Sequence, residues 1–303
     1  MLVHQLRRTG AAVAAVTTVG LMATGCSGVG ASADDGQPGD PSEAVHRAAA
    51  ELVRAGGSRV RTSMQMASGG TRVTITGEGR YDFRRRQGRL KVRLPRDAKG
   101  ADEHRPITEL LTPGALYMKN RGAGVPADKW VRVETGSLSD GNLTTGGVTD
   151  PLLAAELLRE ARDVTYLGIR ELDGDRVRYY RGTSDLARAA RTASPENKLA
   201  LAAAAKGFAE TAVPFVAYLD DEGRLRKVRH RFSVRNGADA AGGKGADATG
   251  GKSADAAGGK GESAGAWHEV AVASTTLLYA FGAPVRVGLP EGGDIYAGRI
   301  AGQ

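Results

Sequence analysis

The sequence predicts an α+β fold: one broad antiparallel sheet accompanied by a few helices. Three observations predict it. Through most of the chain apolar and polar residues alternate with a period of two, as in strands with one buried face. Glycine-bearing turn signals separate these stretches. A few segments break the period with cap residues, proline and helical apolar spacing. Because Cys26 is the only cysteine, no disulfide can form within the chain and stability must come from a core.

The amino-terminal 25 residues read as an address. Arg7 and Arg8 form a charged region, and Ala11 to Met22 form a short apolar stretch ending in small residues. A helix over that stretch would be roughly 18 Å long, short of the roughly 30 Å hydrocarbon core of a bilayer. The following Leu21-Met22-Ala23-Thr24-Gly25-Cys26 resembles a bacterial lipobox, with Ala23 where Leu is commoner. Cleavage before Cys26 and a diacylglycerol on its thiol would anchor the chain to the extracytoplasmic face of the plasma membrane, since two acyl chains hold where one binds reversibly. The alternative is an ordinary secretory signal with a chance cysteine. Either the Sec or the twin-arginine route fits, although Thr9-Gly10-Ala11 lacks the bulky apolar residues expected after a twin arginine.

Residues 26–41 read as the lipidated cysteine and a small, polar tether of roughly 20 Å reach. Ser42 then offers an N-cap, with Val45, Ala48, Ala49 and Leu52 on one helical face and Gly56-Gly57 as the stop. Alternation begins at Ser58. Val60, Thr62, Met64 and Met66 share one face of a strand to Ser68, and Val73, Ile75, Tyr81 and Phe83 one face of the next, joined through Gly69-Gly70. Gln87-Gly88 predicts the turn into a strand carrying Leu90, Val92 and Leu94. Ala115 to Lys119, with Leu116 and Met118, pairs with Lys129 to Glu134. Asp150 caps and Pro151 opens a helix bearing Leu153, Leu157 and Leu158. Asp173-Gly174, between Val164–Leu172 and Arg176–Arg181, is a two-residue type I′ signal. Ser194-Pro195-Glu196 starts an Ala-rich helix to about Thr211. The last strands are Phe215–Leu219, Leu225–Val234 and Trp267–Tyr279. Between the final two, residues 237–265 carry a period-eight Gly/Ala/Asp/Lys repeat. It has too little to bury, so a disordered insertion in a hairpin loop is expected.

Catalytic signals are sparse. There is no G-x-S-x-G, S-x-x-K, H-E-x-x-H or C-x-x-C, and the GGKS at 250–253 lacks the P-loop glycine and a preceding strand. No catalytic residue, metal ligand or cofactor is assigned. His230 and His268 flank the insertion as candidate cross-strand neighbours, and two satisfied core histidines outweigh a metal pair there. The chain carries a formal charge of +8, and with the leader removed 40 Lys and Arg face 34 acids. On an exported protein this suits anionic lipid or wall polymer, and the signal argues against nucleic acid. Arg84, Arg85 and Arg86 at a hairpin tip are candidates for contact with an anionic surface, and Arg226, Lys227, Arg229 and Arg231 crowd one late strand, though a solvated face explains either group. The buried-face methionines suit core or ligand-lined space.

The order of elements resembles the actinobacterial LppX/LprG-type lipoproteins, relatives of the LolA and RseB-like fold. The resemblance covers roughly Ser42 to Ile295, and its marks are the lipobox with the helix and Met-bearing strand behind it, then GRYDF, ALYMK, KWVRVE, DPLLAAELL, VTYLGIRELDGDRVRYYRGTSDL, VAYLDDEGRLRKVRHRF and FGAPVRVGLP. The resemblance implies a strongly curved half-barrel with helices on its concave face. It also implies an apolar cavity that binds lipid or acylated glycolipid, within a domain over 42–300 that works without covalent chemistry. Val60, Met64, Met66, Val73, Ile75, Leu90, Val92, Leu116, Met118, Leu153, Leu157 and Leu158 are the cavity candidates. An RseB-like module regulating a membrane-protein partner through the same concavity is the alternative.

Overall fold

The computed structural model describes residues 39–68, 71–95, 105–122, 124–236 and 268–298. The signal peptide, Cys26, most of the tether, Gly69-Gly70 and the 237–265 insertion lie outside them. Helix α1 (Pro41–Ala55) begins two residues earlier than an N-cap at Ser42 predicts, because Asp40 is the N-cap and accepts a hydrogen bond from the Ser42 amide at 2.9 Å. Gly56 ends the helix at φ 86°, a conformation that favours glycine.

Among the described residues, eleven strands form one antiparallel sheet. They are β1 (Gly57–Ser68), β2 (Thr71–Asp82), β3 (Gln87–Arg93), β4 (Ile107–Thr112), β5 (Ala115–Lys119), β6 (Trp130–Glu134), β7 (Ala161–Leu172), β8 (Asp175–Asp185), β9 (Ala212–Leu219), β10 (Leu225–Asn236) and β11 (His268–Tyr279). Their order is β6-β5-β4-β3-β2-β1-β11-β10-β9-β8-β7, so the sheet is open, with edges at β6 and β7. Helix α1 touches both β1 and β7, five strand spacings apart. Flat, those strands would be roughly 24 Å apart, more than twice a helix diameter. The sheet therefore curls around its helices, as the half-barrel expectation required. The other α-helices among the described residues are α2 (Pro151–Glu156), α3 (Leu186–Thr192) and α4 (Pro195–Gly207).

Asp150 and Pro151 do open α2, and Asp173-Gly174 turns with both residues at positive φ, 52° and 87°. Other expectations are corrected. Gln87 and Gly88 belong to β3, and the turn is Phe83–Arg86 with Arg86 at φ 54°. Gly88 sits inside the strand because Tyr81 packs over it: a Cβ there would lie 2.5 Å from the Tyr81 ring. The Ala-rich helix stops at Gly207, short of Thr211. Two elements, β4 and α3, were not expected at all. His230 and His268 are not cross-strand neighbours. His230 faces Ser274, and His268 faces Asn236, next to the insertion.

Candidate functional site

The inner face of the sheet gathers the apolar candidates as the alternation required. Register places Met64 opposite Ile75, Met66 opposite Val73, and Leu111 opposite Leu116. Val60, Leu90, Val92, Leu116, Met118 and Leu158 join one core cluster. Met64, Leu153 and Leu157 join a second, with Met66 packed against it. Ile75 packs against both, whereas half-buried Val73 lies outside them. Sequence reasoning missed the β4 contribution, Ile107 and Leu111, and the covering residues Leu143 and Val148, all buried.

What covers this face differs along the sheet. Helix α1 packs on β7, β9, β10 and β1, and α2 on β10. Above β2, β3 and β5 lies instead the segment 138–149 (LSDGNLTTGGVT). Val148 sits against Gly77, where a Cβ would come within 2.5 Å of both Val148 Cγ1 and Thr62 Oγ1. Gly147, at φ 78°, lies over Ile75 and Val92, and a Cβ on Gly146 would reach Leu116 Cδ2 at 3.3 Å. The segment is shaped largely by its own polar bonds. The Asp140 carboxylate accepts from the amides of Asn142 (2.9 Å), Thr144 (2.8 Å) and Thr145 (2.6 Å), and Asn142 Oδ1 accepts from the Gly146 amide. Thr149 Oγ1 lies 2.6 Å from Ser274 Oγ on β11 and 2.7 Å from the Leu143 carbonyl. Asp150, next in sequence, accepts from the Leu152 and Leu153 amides and from the Tyr81 hydroxyl at 2.9 Å. Burial pushes its carboxyl up to about 6. A void of about 20 Å³ remains between Leu111, Asn142, Asp150 and Leu153, room for little more than one water.

Two titratable groups stand inside this apolar layer. Glu109, on β4 between Leu90 and Met118, is fully buried, and among the described residues neither carboxyl oxygen meets a hydrogen-bond partner. Burial alone raises its pKa well above the ordinary carboxylate range, so the side chain is a neutral acid. His230, on β10, lies between Phe215 and Phe232, with ring centroids 6.2 and 5.8 Å away, and its Nε2 has no partner among the described residues. Burial lowers its pKa to about 3, leaving it neutral. Among the described residues no three His, Cys, Asp or Glu side chains converge as a metal site.

The arginine triplet is engaged locally. Arg84 donates to the Val53 and Arg54 carbonyls at the end of α1. Arg85 pairs with Asp82 at 3.2 Å, and Arg86 pairs with Glu196 at 2.7 Å and bonds Ser194. Arg226 is also absorbed: it is buried, donates to the Leu278 carbonyl and pairs with Asp175 at 2.7 Å. A cleft of about 1010 Å³ lies beside the triplet, between Gly56-Gly57 and residues 282–287.

No protein-family model matches the chain, and neither does any curated protein sequence. Among solved structures the fold is similar to LprF from Mycobacterium bovis (13% identity, TM-score 0.39, covering 83% of this chain and 97% of that one). It is similar to the lipoprotein LppX from Mycobacterium tuberculosis (12%, TM-score 0.41, 81% and 99%). LppX is of the type that the sequence motifs resemble. A LolA superfamily protein from Nitrosomonas europaea is also similar (10%, TM-score 0.30, 79% and 93%).

Proposed function

We propose that this is a lipid-anchored envelope lipoprotein whose interior takes up the acyl chains of a lipid or acylated glycolipid and moves it across the cell envelope, without covalent chemistry. The observation that carries this reading is the cover over β2, β3 and β5: a glycine-rich loop, not a helix, lies on the apolar face. Leu143 and Val148 are the loop's apolar anchors, glycine at 146 and 147 adds no side chain between them, and most of its hydrogen bonds are internal and can travel with it. Swinging it away would uncover Ile75, Leu90, Val92 and Leu116, and an acyl chain entering there would bury the same apolar surface again. Glu109 fits such a space, because a neutral acid with no partner can donate to a hydroxyl or ester carbonyl of the guest.

The test uses Cys26→Ser protein, which cannot carry the diacylglycerol. Solvent extraction and mass spectrometry should recover co-purifying lipid, and added acyl ligand should raise the melting temperature. Neither effect, with stable capture of a membrane-protein partner, would favour the RseB-like module instead. A second measurement addresses the loop. Thr149→Cys with Ser274→Cys in that background should form a disulfide, since the two hydroxyl oxygens are 2.6 Å apart. Uptake of a fluorescent fatty acid should be at least tenfold slower oxidised than reduced. Equal rates would mean that the loop does not gate the interior.

A further inference from the structure

The outer face of the sheet carries a charge arrangement that the interior does not explain. Antiparallel register aligns residues of five adjacent strands, β10, β11, β1, β2 and β3, into rows. One row runs Lys227–Leu277–Arg61–Glu78–Lys91, and the next Arg229–Thr275–Ser63–Thr76–Arg93. A third sets Arg59, Arg80 and Arg89 directly opposite one another on β1, β2 and β3. Like charges directly opposite in a sheet are destabilising, so this row does not serve the fold. Arg61, Lys91, Arg93 and Lys227 surround a hollow of about 420 Å³, and none of these four is in an ion pair within 4.0 Å among the described residues. Of the acids nearby, Glu78 and Asp173 line the hollow and Asp82 is held by Arg85.

Aromatic rings stand among these cations. Arg61 lies over Tyr279 (4.9 Å), Lys227 over Tyr218 (5.3 Å), and, further along the same face, Lys119 over Trp130 (5.6 Å). From β10 to β3 the field is about 19 Å wide, and from Lys227 to Arg231 it runs about 13 Å along the strand. It is an area rather than a line. Cations spread in two dimensions, with Tyr279 among them and Tyr218 and Trp130 beyond their margins, match the headgroup layer of an anionic bilayer, where amphipathic rings and basic side chains settle together. A linear polyanion would be better served by a single groove.

We propose that the outer face of β10–β11–β1–β2–β3 docks on an anionic membrane surface, so that the body lies on the bilayer by its sheet and is not held by a lipid anchor alone. This inference does not depend on lipid uptake by the interior.

The test is sedimentation of the full chain, with Cys26→Ser to remove the lipid, on vesicles of phosphatidylcholine with 30 mol% phosphatidylglycerol, at low and high salt. Binding is expected at low salt, is lost in 0.5 M NaCl, and is absent on pure phosphatidylcholine. The triple variant Arg61→Gln, Lys91→Gln, Lys227→Gln should bind at least tenfold more weakly. A charge-matched control, Arg191→Gln, Lys198→Gln, Lys206→Gln, removes exposed cations of α3 and α4 and should bind as the parent does. Circular dichroism and melting confirm that both are folded. Equal losses in the two triples would reduce the effect to net charge and overturn the proposal. So would an absence of vesicle binding, alone or with tight binding to soluble polyphosphate. If the Gln triple does not fold, Arg61→Glu alone is compared with Lys198→Glu by the same criterion.

Discussion

Glu109→Leu is expected to stabilise the protein by about 1–3 kcal/mol at pH 7, measured as a rise in denaturant midpoint at unchanged slope. Glutamate and leucine are similar in volume, so the substitution keeps the packing between Leu90 and Met118 and removes two oxygens that have no partner. The pH dependence identifies the cause. Below the unfolded-state pKa the carboxyl is protonated in both states and contributes no slope. As pH rises, the unfolded chain ionises while burial keeps the folded side chain neutral, so wild type loses stability until the raised folded pKa is reached. The advantage of the Leu variant should therefore widen from about pH 4.5 upward. A constant difference between pH 4 and 8 would show that Glu109 is not a buried neutral acid. If the interior takes up hydroxyl- or ester-bearing lipid, the same variant should bind that lipid more weakly while being more stable. Residues kept for function often cost stability in this way.

Glu109 also explains why part of the fold was hidden in the sequence. Most strands were legible because one face is apolar and the other wet, and register follows from that alternation. In Ile107–Thr112 the inward set is Ile107, Glu109 and Leu111, while Leu110 on the opposite side is buried as well. The acid breaks the period of two, and Ile107, Leu110 and Leu111 have helical spacing instead. Asp173-Gly174 and Asp150-Pro151 were legible because they specify local backbone geometry. The cover at 138–149 was not, since its glycines, threonines and Asp140 read as a linker, and burial comes from the sheet and from helix α4, both brought to it by the fold. The arginine triplet was placed correctly at a hairpin tip, but its partners on α1 and α4 are distant in sequence. Single-strand reading also split the basic field. Only the register of five strands shows that Lys227, Arg61 and Lys91 lie in one row. Cys26 and residues 237–265, read with ease from composition, lie outside the described residues.

Acid should act through His230. Its folded-state pKa of about 3 lies below the ordinary value of 6.5, so at intermediate pH the unfolded chain binds a proton that the folded chain refuses. The contribution is fully present above pH 6.5 and is lost as pH falls toward 3. At about 1.4 kcal/mol per pH unit, wild type should lose about 3 kcal/mol by pH 4 from this group alone. Asp150, with its carboxyl raised to about 6, and Glu109 work in the opposite sense, losing stability as pH rises. The net curve of wild type therefore mixes all three, and the informative quantity is its difference from His230→Leu. Between Phe215 and Phe232 a leucine keeps the site apolar and removes a ring nitrogen without a partner. The two proteins should differ little in thermal stability at pH 7.5. At pH 4 the variant should be more stable by about 3 kcal/mol, since it has no proton to refuse. Parallel stability curves from pH 7.5 to 4 would mean that His230 titrates normally, and thus that water reaches the inner face of β10 in the folded protein. Because the inner face is where acyl chains are proposed to enter, repeating the comparison with bound lipid extends the test. Occupancy of the interior should leave the His230 difference unchanged if the guest lies over β2, β3 and β5. It should alter that difference only if the guest reaches as far as β10.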